Sequence, residues 1–442
     1  MSRAEERRRS LRLSVVDGVL HAIMLGATES YLGALAVELG HRDIALSLLV
    51  TIPLAVGALS QLAGPRLVRW LGGEKRAVVA GVLLQAFTHL AFFAIAWTGT
   101  DSLAALLTAK IVYWASAASH APAWSSWMAR LVPARVRGRF FARRMWIYQV
   151  VLLAAFLGAG FWLDEARARG AVLLGFGALH LVSLVARLGS AAVLSRKSPF
   201  GEPPPRRRPA LTTVLARGRW RVAVFVALLL AGAQLAVPFF TPYMLEELHL
   251  ELGAFALLTS LSIAAKGISF PLWRIASTRF GARPVLAVSG ALIASVPVFW
   301  FFSADLSTLA FAQLLGGVAW AGYELTSLQL LMGDAPEDGA VEFFALASAL
   351  SGLTQVAGAI AGGWWLRTGV LGYTEVFLAS AVARGAALLV LLFVPSPRRR
   401  VAAVLTRFAS VRPSAGATAT PLLPPPEKRP EETTPPKRLT GR

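Results

Sequence analysis

Residues 195–221, SRKSPFGEPPPRRRPALTTVLARGRWR, separate two long apolar halves of the chain. This segment is rich in proline and arginine. The whole chain of 442 residues is 56% hydrophobic and only 15% charged, with a mean hydropathy of +0.59, whereas a soluble protein carries about 25% charged residues. The composition therefore indicates a polytopic membrane protein in which residues 195–221 form a polar linker outside the lipid.

Apolar runs on both sides of this linker predict membrane-crossing helices. A span needs about 20 mainly apolar residues, and the chain holds about twelve such runs, six in each half. The first run is predicted to be a retained span rather than a cleaved signal peptide, because it is long and carries Asp17, His21 and Glu29. The predicted spans are 15–37, 44–63, 77–98, 102–127, 145–163, 171–194, 222–245, 253–273, 284–303, 306–331, 343–366 and 373–394.

Lysine and arginine are concentrated on one side of the predicted membrane. The termini and the connections on their side hold 36 of the 44 basic residues, whereas the opposite side holds 4. Since basic loops stay in the cytoplasm, both termini are predicted to be cytoplasmic, with residues 1–14 as a short N-terminus and 395–442 as a disordered tail. A nucleic-acid-binding protein would instead collect its charge on one folded face, so we expect no nucleic-acid partner.

The two halves, residues 15–194 and 222–394, resemble each other. An offset of 203 residues superposes Phe140-Phe141-Ala142 on Phe343-Phe344-Ala345, and an offset of 209 aligns the first span of each half. Parallel repeats of six spans are typical of a large class of membrane transporters. The predicted fold is therefore all-α, with two pseudo-symmetric six-helix bundles.

Four segments carry a resemblance to a known family. Residues 123–128, 132–140, 279–284 and 358–363 resemble a bacterial branch of the major facilitator superfamily, and the resemblance extends over about residues 14–395. It implies a transporter in which spans 1, 4, 7 and 10 line a central cavity. It also implies an inner membrane location.

The signature loop of that superfamily is altered here. The family places a carboxylate between spans 2 and 3 and again between spans 8 and 9, each followed by a glycine. The first copy in this chain keeps Gly72 but has Arg69 at the acid position, and the second keeps Gly281 but has Thr278 there. The resemblance therefore predicts that another contact closes the inner gate.

Two charged residues are predicted at mid-depth in the cavity wall. Glu29 and Lys110 each lie nine residues from the outer end of their spans, which is roughly 13–14 Å of helix. An ionisable group inside the membrane is a functional-site hypothesis with a partner to be named. We expect a Glu29–Lys110 ion pair, which is either a switchable binding site or a fixed strut within the first half.

A second group lies nearer the cytoplasmic mouth and consists of Asp17, His120 and Glu324. Burial favours the neutral form of a carboxyl group, and histidine titrates near neutral pH. Glu324, Glu29 and His120 are therefore candidate proton carriers. For Asp17, helix capping or solvation at the end of a span is the favoured role.

Uncharged side chains of the same spans are candidates for contacting a solute. They are Trp114, Gln234 and Tyr323. The alternative for any single one of these residues is ordinary packing, or anchoring at the membrane interface, where Trp and Tyr are common.

Two loops on the terminal side have opposite charge. Loop 129–144 holds six arginines and no acid, whereas loop 332–342 holds four acids and no base. An acidic loop is unexpected on the basic side of the membrane, so we predict ion pairs between the loops that form a cytoplasmic gate. The predicted partners are Arg135, Arg137 and Arg139 with Asp334, Glu337 and Glu342.

These features predict a secondary active transporter that moves a small organic solute by alternating access. Its expected partners are the lipid bilayer, the solute and protons, and no oligomer is required. Proton-linked uptake and antiport efflux remain open, and a non-transporting receptor or scaffold of the same fold is the alternative. The chain has no cysteine and only six scattered histidines, so we expect no metal, no cofactor and no enzymatic activity.

Overall fold

The computed structural model describes residues 2–41, 44–200, 218, 220–250 and 252–393. Most of the linker and all of the tail 395–442 lie outside the described residues. The first half contains α1 Arg3–Thr28, α2 Leu32–Glu38, α3 Ile44–Ser60, α4 Gly64–Leu71, α5 Glu74–Thr98, α6 Leu103–Leu131, α7 Ala134–Ala168 and α8 Val172–Ser195. The second half contains α9 Trp220–Gln234, α10 Leu252–Phe280, α11 Ala282–Phe302, α12 Leu306–Asp334, α13 Ala340–Arg367 and α14 Tyr373–Leu388.

The helices of the described ranges make up twelve stretches that are long enough to cross a membrane. Within the described ranges, nine helical stretches are long and apolar enough to cross a membrane. The helices α6, α10 and α12, of 29 residues each, are long enough to complete the set. The first two spans are each built from two helices in series, α1 with α2 and α3 with α4. The predicted all-α fold of about twelve spans is confirmed.

Helix caps and turns repeat between the halves. Ser102 caps α6 by accepting a hydrogen bond from the Ala105 amide, and Asp305, which lies 203 residues later, caps α12 in the same way. Gly72 and Gly281, offset by 209 residues, both have positive φ, at 74° and 95°, in the turns that join spans 2 and 3 and spans 8 and 9. The internal repeat seen in the sequence is therefore also present in local backbone geometry.

The first span of each half is interrupted. α1 ends at Thr28, and a 3₁₀ turn at Glu29–Tyr31 precedes α2. In the second half α9 ends at Gln234 and a 3₁₀ turn at Val237–Phe239 follows. The 209-residue offset places Glu29 on Pro238, so the two breaks lie at equivalent positions. Discontinuous helices in repeated halves are characteristic of transporter binding sites.

Two predicted loops are shorter than expected. α7 begins at Ala134 rather than near residue 145, so most of loop 129–144 is helical. In the second half, α12 continues to Asp334 and α13 begins at Ala340, which leaves a turn at 335–339. The hydropathy of the sequence marks only the lipid-embedded part of a helix, and arginine is a good helix former, so these helices extend beyond the membrane.

The two halves contact each other toward one face of the membrane. We call this the terminal face, and it holds residues 72–73, 132–133 and 335–339; the opposite face holds residues 99–101 and 303–305. Near the terminal face, one apolar cluster combines buried side chains of both halves. We call it the terminal plug, and it includes Met128, Leu131, Phe141 and Ala142 with Phe270, Leu325, Met332, Phe343 and Phe344.

Near the opposite face, the described apolar side chains form a separate core in each half. One core there contains Leu35, Phe92 and Phe176 of the first half. A separate core contains Trp300 and Phe377 of the second half. The described parts of the two halves are therefore joined toward the terminal face and have separate cores toward the opposite face.

Candidate functional site

Glu29 lies at the break between α1 and α2. Its Oε1 accepts a hydrogen bond of 3.1 Å from Trp114 Nε1 on α6, and the Tyr113 hydroxyl lies beside the carboxylate. Lys110 is close enough to interact electrostatically with Glu29. The 3₁₀ turn thus presents a carboxylate to a polar and aromatic stretch of α6.

The predicted Glu29–Lys110 ion pair is not formed. Among the described residues, six ion pairs have a nitrogen–oxygen distance within 4 Å, and this pair is not one of them. The Glu29 carboxylate is held by the indole of Trp114 instead. Lys110 and Trp114 are one turn apart on α6, so the two side chains compete for the same carboxylate and the aromatic donor makes the direct contact.

Glu324 lies on α12 in the second half. Its Oε1 is 2.5 Å from Lys266 Nζ on α10, and both side chains remain partly exposed. The pair holds two helices of the same half together. Tyr148 on α7 of the first half lies within electrostatic reach of both Glu324 and Glu29, so the two carboxylates flank the same central region.

Asp17 lies in a buried polar network rather than at a solvated end of a span. Only 4% of Asp17 is exposed. It accepts a hydrogen bond of 2.6 Å from Ser190 on α8 and lies 3.6 Å from Arg144 on α7. The predicted capping or end-solvation role is wrong, because α1 begins at Arg3 and its middle, including Asp17, is enclosed by neighbouring helices.

His120 is enclosed by its neighbours. Its Nδ1 donates a hydrogen bond of 2.6 Å to the Ser116 carbonyl on its own helix. The ring packs directly on Gly81 of α5, where an added Cβ would overlap the imidazole. This geometry gives His120 a packing role between α5 and α6, and the structure does not bring it to Glu324.

Of the remaining candidates for solute contact, one lies beside Glu29 and two make contacts within the second half. Trp114 is part of the Glu29 site. Gln234, at the end of α9, donates to Gln355 Oε1 over 3.4 Å within the second half. Tyr323 is only 5% exposed and lies edge-on to Trp320 in the core of that half, so it packs rather than lining the central region.

A cavity of about 700 Å³ lies at the terminal face between the halves. The first half contributes Arg69, Arg130 and Arg137 to its wall, and the second contributes Glu337 and Glu342. The predicted meeting of a basic and an acidic surface at this face is therefore present, although the individual partners differ from those expected.

Glu342 pairs with Arg69 rather than with Arg139. Arg69 Nη1 is 2.8 Å from Glu342 Oε1, which joins α4 of the first half to the first turn of α13. Arg137 donates to the carbonyls of Ala129 and Val132 and so caps the end of α6.

Arg135 and Arg139 are exposed and make no ion pair within 4 Å in the described part of the chain. Because this segment is helical, Arg135 and Arg139 lie one turn apart on the same face of α7 and Arg137 points to another side, so the three arginines cannot share one partner surface. Glu337 lies on the cavity wall, and Asp334 is the last residue of α12.

Glu74 is a carboxylate at the terminal face that the sequence analysis missed. It is 4% exposed, accepts a hydrogen bond of 2.6 Å from Ser126 and forms an ion pair with Arg130. Glu74 follows the Gly72–Gly73 turn, whereas the family signature has its acid before the glycine. An acid in the first turn of span 3 was the signal that could have revealed it.

No group of three His, Asp or Glu side chains in the described ranges is arranged to hold a metal ion.

Solved structures share this architecture at low sequence identity. A bacterial homologue of the iron transporter ferroportin in an outward-facing state has a TM-score of 0.68 and 16% identity, covering 88% of this chain and 98% of that chain. The major facilitator transporter FucP in its outward conformation has a TM-score of 0.66 and 14% identity, covering 88% of this chain and 100% of that chain. The proton:xylose symporter XylE has a TM-score of 0.67 and 12% identity, covering 89% of this chain and 97% of that chain.

The family comparison agrees with the fold. The model of the Major Facilitator Superfamily matches residues 222–426, and no curated protein matches the sequence. Twelve spans in two repeated halves define a multi-pass membrane transporter. The chain has the fold of the major facilitator transporters.

Proposed function

We propose that this chain is a secondary active transporter that moves a small organic solute by alternating access. The observation that carries the proposal is the one-sided contact between the halves, which share the terminal plug and the Arg69–Glu342 ion pair but have separate cores near the opposite face. Two bundles joined at one end can rock against each other around a central site.

The orientation of the transporter follows from its basic residues. The strong excess of lysine and arginine on the side of the termini supports cytoplasmic termini in the inner membrane. With this orientation the terminal face is cytoplasmic and the conformation is outward-facing. The similarity to FucP and to the ferroportin homologue, both described in outward states, supports the same assignment.

Glu29 and Glu324 are the proposed proton-coupling groups. Each lies near a lysine inside the membrane, Lys110 for Glu29 and Lys266 for Glu324. A proton on the carboxylate removes its attraction for the lysine, so proton binding and solute binding can be linked through the same side chains. The bound solute would lie between the two groups, next to Tyr148 and Trp114.

Alternating access can be tested by spin labelling, because the chain contains no cysteine. One double variant, Thr100→Cys with Ala304→Cys, reports the separation of the halves at the opposite face. A second, Arg135→Cys with Glu337→Cys, reports it at the terminal face. We expect two populations of spin-label distances in each double variant. The long distance at one face should accompany the short distance at the other.

The matched control is Thr100→Cys with Arg169→Cys, since both positions lie in the first half and should keep one distance. Glu29→Gln and Glu324→Gln, which mimic the protonated carboxyl groups, should shift the populations, whereas Glu165→Gln at an exposed position should not. Distances between the halves that stay fixed with pH and in all variants would contradict alternating access.

A further inference from the structure

We propose that the central site binds an organic solute with a carboxylate group and that Arg144 of α7 holds that carboxylate. The proposal deepens the proposed transport function and rests on it. It comes from the hydrogen bonds of three buried arginines, of which two are engaged with the protein and one, Arg144, has donors available to a solute.

Arg144 lies in a space shaped for its guanidinium group. A Cβ added at Gly18 of α1 would lie 3.2 Å from its Cζ, and the Trp124 ring lies on another side at 5.0 Å from Cζ. Nε donates to the Ser14 carbonyl over 3.1 Å. The planar group is thereby fixed by contacts from α1 and α6.

The outer guanidinium nitrogens of Arg144 have capacity left. Nη2 forms an ion pair with Asp17 Oδ2 at 3.6 Å, which is too long for a hydrogen bond, and Ser190 donates to the other oxygen, Oδ1. In the described part of the chain, Nε is the only nitrogen of Arg144 with a recorded acceptor. The side chain keeps 12% of its surface exposed, so a ligand can reach it.

Two other buried arginines act as structural ties. Arg187 on α8 donates to Gln85 on α5, and Arg384 on α14 donates to the carbonyls of Ile293 and Ala233 on α11 and α9. Both tie the last span of a half to the third span of that half. Each half thus has one buried arginine that links its third and last spans, although the two arginines are 197 residues apart rather than 203.

Arg144 has no such counterpart. The 203-residue offset that aligns the fifth and eleventh spans places Ala347 at its equivalent position. A charged group inside a membrane is costly, and this one has no equivalent at that offset in the second half. An asymmetric cation at the centre of a transporter is therefore best explained by the solute.

The neighbouring charged groups are partly engaged with other side chains. Glu29 accepts from Trp114, and Glu324 is paired with Lys266. Lys110 makes no recorded hydrogen bond within the described ranges. Arg144 lies one turn before Tyr148, which is within electrostatic reach of Glu29 and Glu324. The two outer nitrogens of the Arg144 guanidinium group match a carboxylate in bidentate geometry.

The test compares carboxylates with neutral analogues on the purified full chain. The probes are lactate, succinate and phenylacetate, each with its amide, and the measurement is the shift in Tm. We expect at least one carboxylate to raise the Tm of the wild type and of Arg143→Ala, an exposed neighbour on the same helix. The amides should give no shift, and Arg144→Ala should abolish the response.

Further variants separate binding from folding. Arg144→Lys should keep the fold but weaken carboxylate binding about tenfold, because lysine cannot make the bidentate contact. If Arg144 only neutralised Asp17, the double variant Asp17→Asn with Arg144→Ala would regain the response, and that result would overturn the proposal. A wild type that responds to none of the carboxylates, or equally to their amides, would also overturn it.

These outcomes are independent of the spin-label distances. Moving halves without a carboxylate response would leave the transport proposal intact and remove the solute class. A carboxylate response with immobile halves would support the solute class and contradict the transport proposal.

Discussion

Arg69 and Glu342 join the two halves at the terminal face through an ion pair of 2.8 Å. Arg69 occupies the position where the superfamily signature has an acid. Its partner stands in the first turn of α13, where the helix dipole favours a carboxylate. The charges at this contact are thus reversed relative to the signature, with the base on the first half and the acid on the second.

Reversing one charge of this pair should loosen the terminal face. The two side chains are 23% and 24% exposed, so we expect an effect of about 1 kcal/mol, or roughly fivefold in the population of the two conformations. Arg69→Glu should shift the Arg135–Glu337 spin-label distances toward longer values, and Arg69→Glu with Glu342→Arg should restore them.

Arg139→Glu is the control for this prediction. Arg139 is exposed and makes no ion pair within 4 Å in the described ranges, so its reversal should leave the distances unchanged. A double reversal of Arg69 and Glu342 that behaves no better than the single variants would show that the pair does not hold the face closed.

The glycines of α13 permit close packing of the seventh and eleventh spans. A Cβ at Gly358 would overlap the Ala231 carbonyl, and one at Gly362 would overlap the Leu235 carbonyl, both near the end of α9. Gly358→Ala should therefore lower stability by about 1–3 kcal/mol, seen as a lower Tm of the purified protein.

Gly385→Ala is the matched control, because Gly385 lies within α14 and has nothing within 4 Å of an added Cβ. It should be neutral or stabilise the protein by up to about 1 kcal/mol, since alanine is the better helix former. An equal loss of stability in Gly358→Ala and Gly385→Ala would mean that Gly358 is required by the backbone conformation of α13 and not by the contact with α9.

Lys197 should make stability depend on pH in the alkaline range. It follows α8 and is fully buried, with Nζ 4.2 Å from the Trp127 ring centroid. Burial lowers the pKa of Lys197 from 10.5 to about 8. Between these values the folded chain has released a proton that the unfolded chain keeps, so stability rises with pH through this window.

The shift corresponds to about 3 kcal/mol, so Lys197→Met should have the higher Tm at pH 7. The difference in Tm between Lys197→Met and the wild type should become smaller as pH approaches 10. Lys75→Met is the control, and its difference from the wild type should stay constant. A difference for Lys197→Met that does not change with pH would mean that the buried amine remains charged.

Some features of the site could be predicted and others could not. Glu29 was identified as a site residue from its position within an apolar span, and the structure places it at a helix break. Its partner was predicted wrongly as Lys110, because spacing along two helices gives depth but not the rotamer or the competing donor on Trp114. His120 was selected for its depth and Tyr323 as an aromatic residue of a predicted cavity-lining span, and both proved to be packed between helices.

The terminal face illustrates a second limit. The opposite charges of segments 129–144 and 332–342 were evident in the sequence, and these segments meet at one cavity. The partner of Glu342 came from another segment, since Arg69 lies at the end of α4. Glu74 was missed because the family signature directed attention to the residues before Gly72.

The sequence by itself determined the number of spans, their division into two repeated halves and the side that carries the basic residues. These properties depend on how lipid and water sort residue types along the chain, and composition records that sorting directly. Tertiary structure alone decided which charges meet: Arg69 with Glu342, Glu324 with Lys266, and Arg144 with Asp17. Pairing depends on how far each helix is rotated about its axis and which neighbour it contacts, and a hydropathy pattern contains neither quantity.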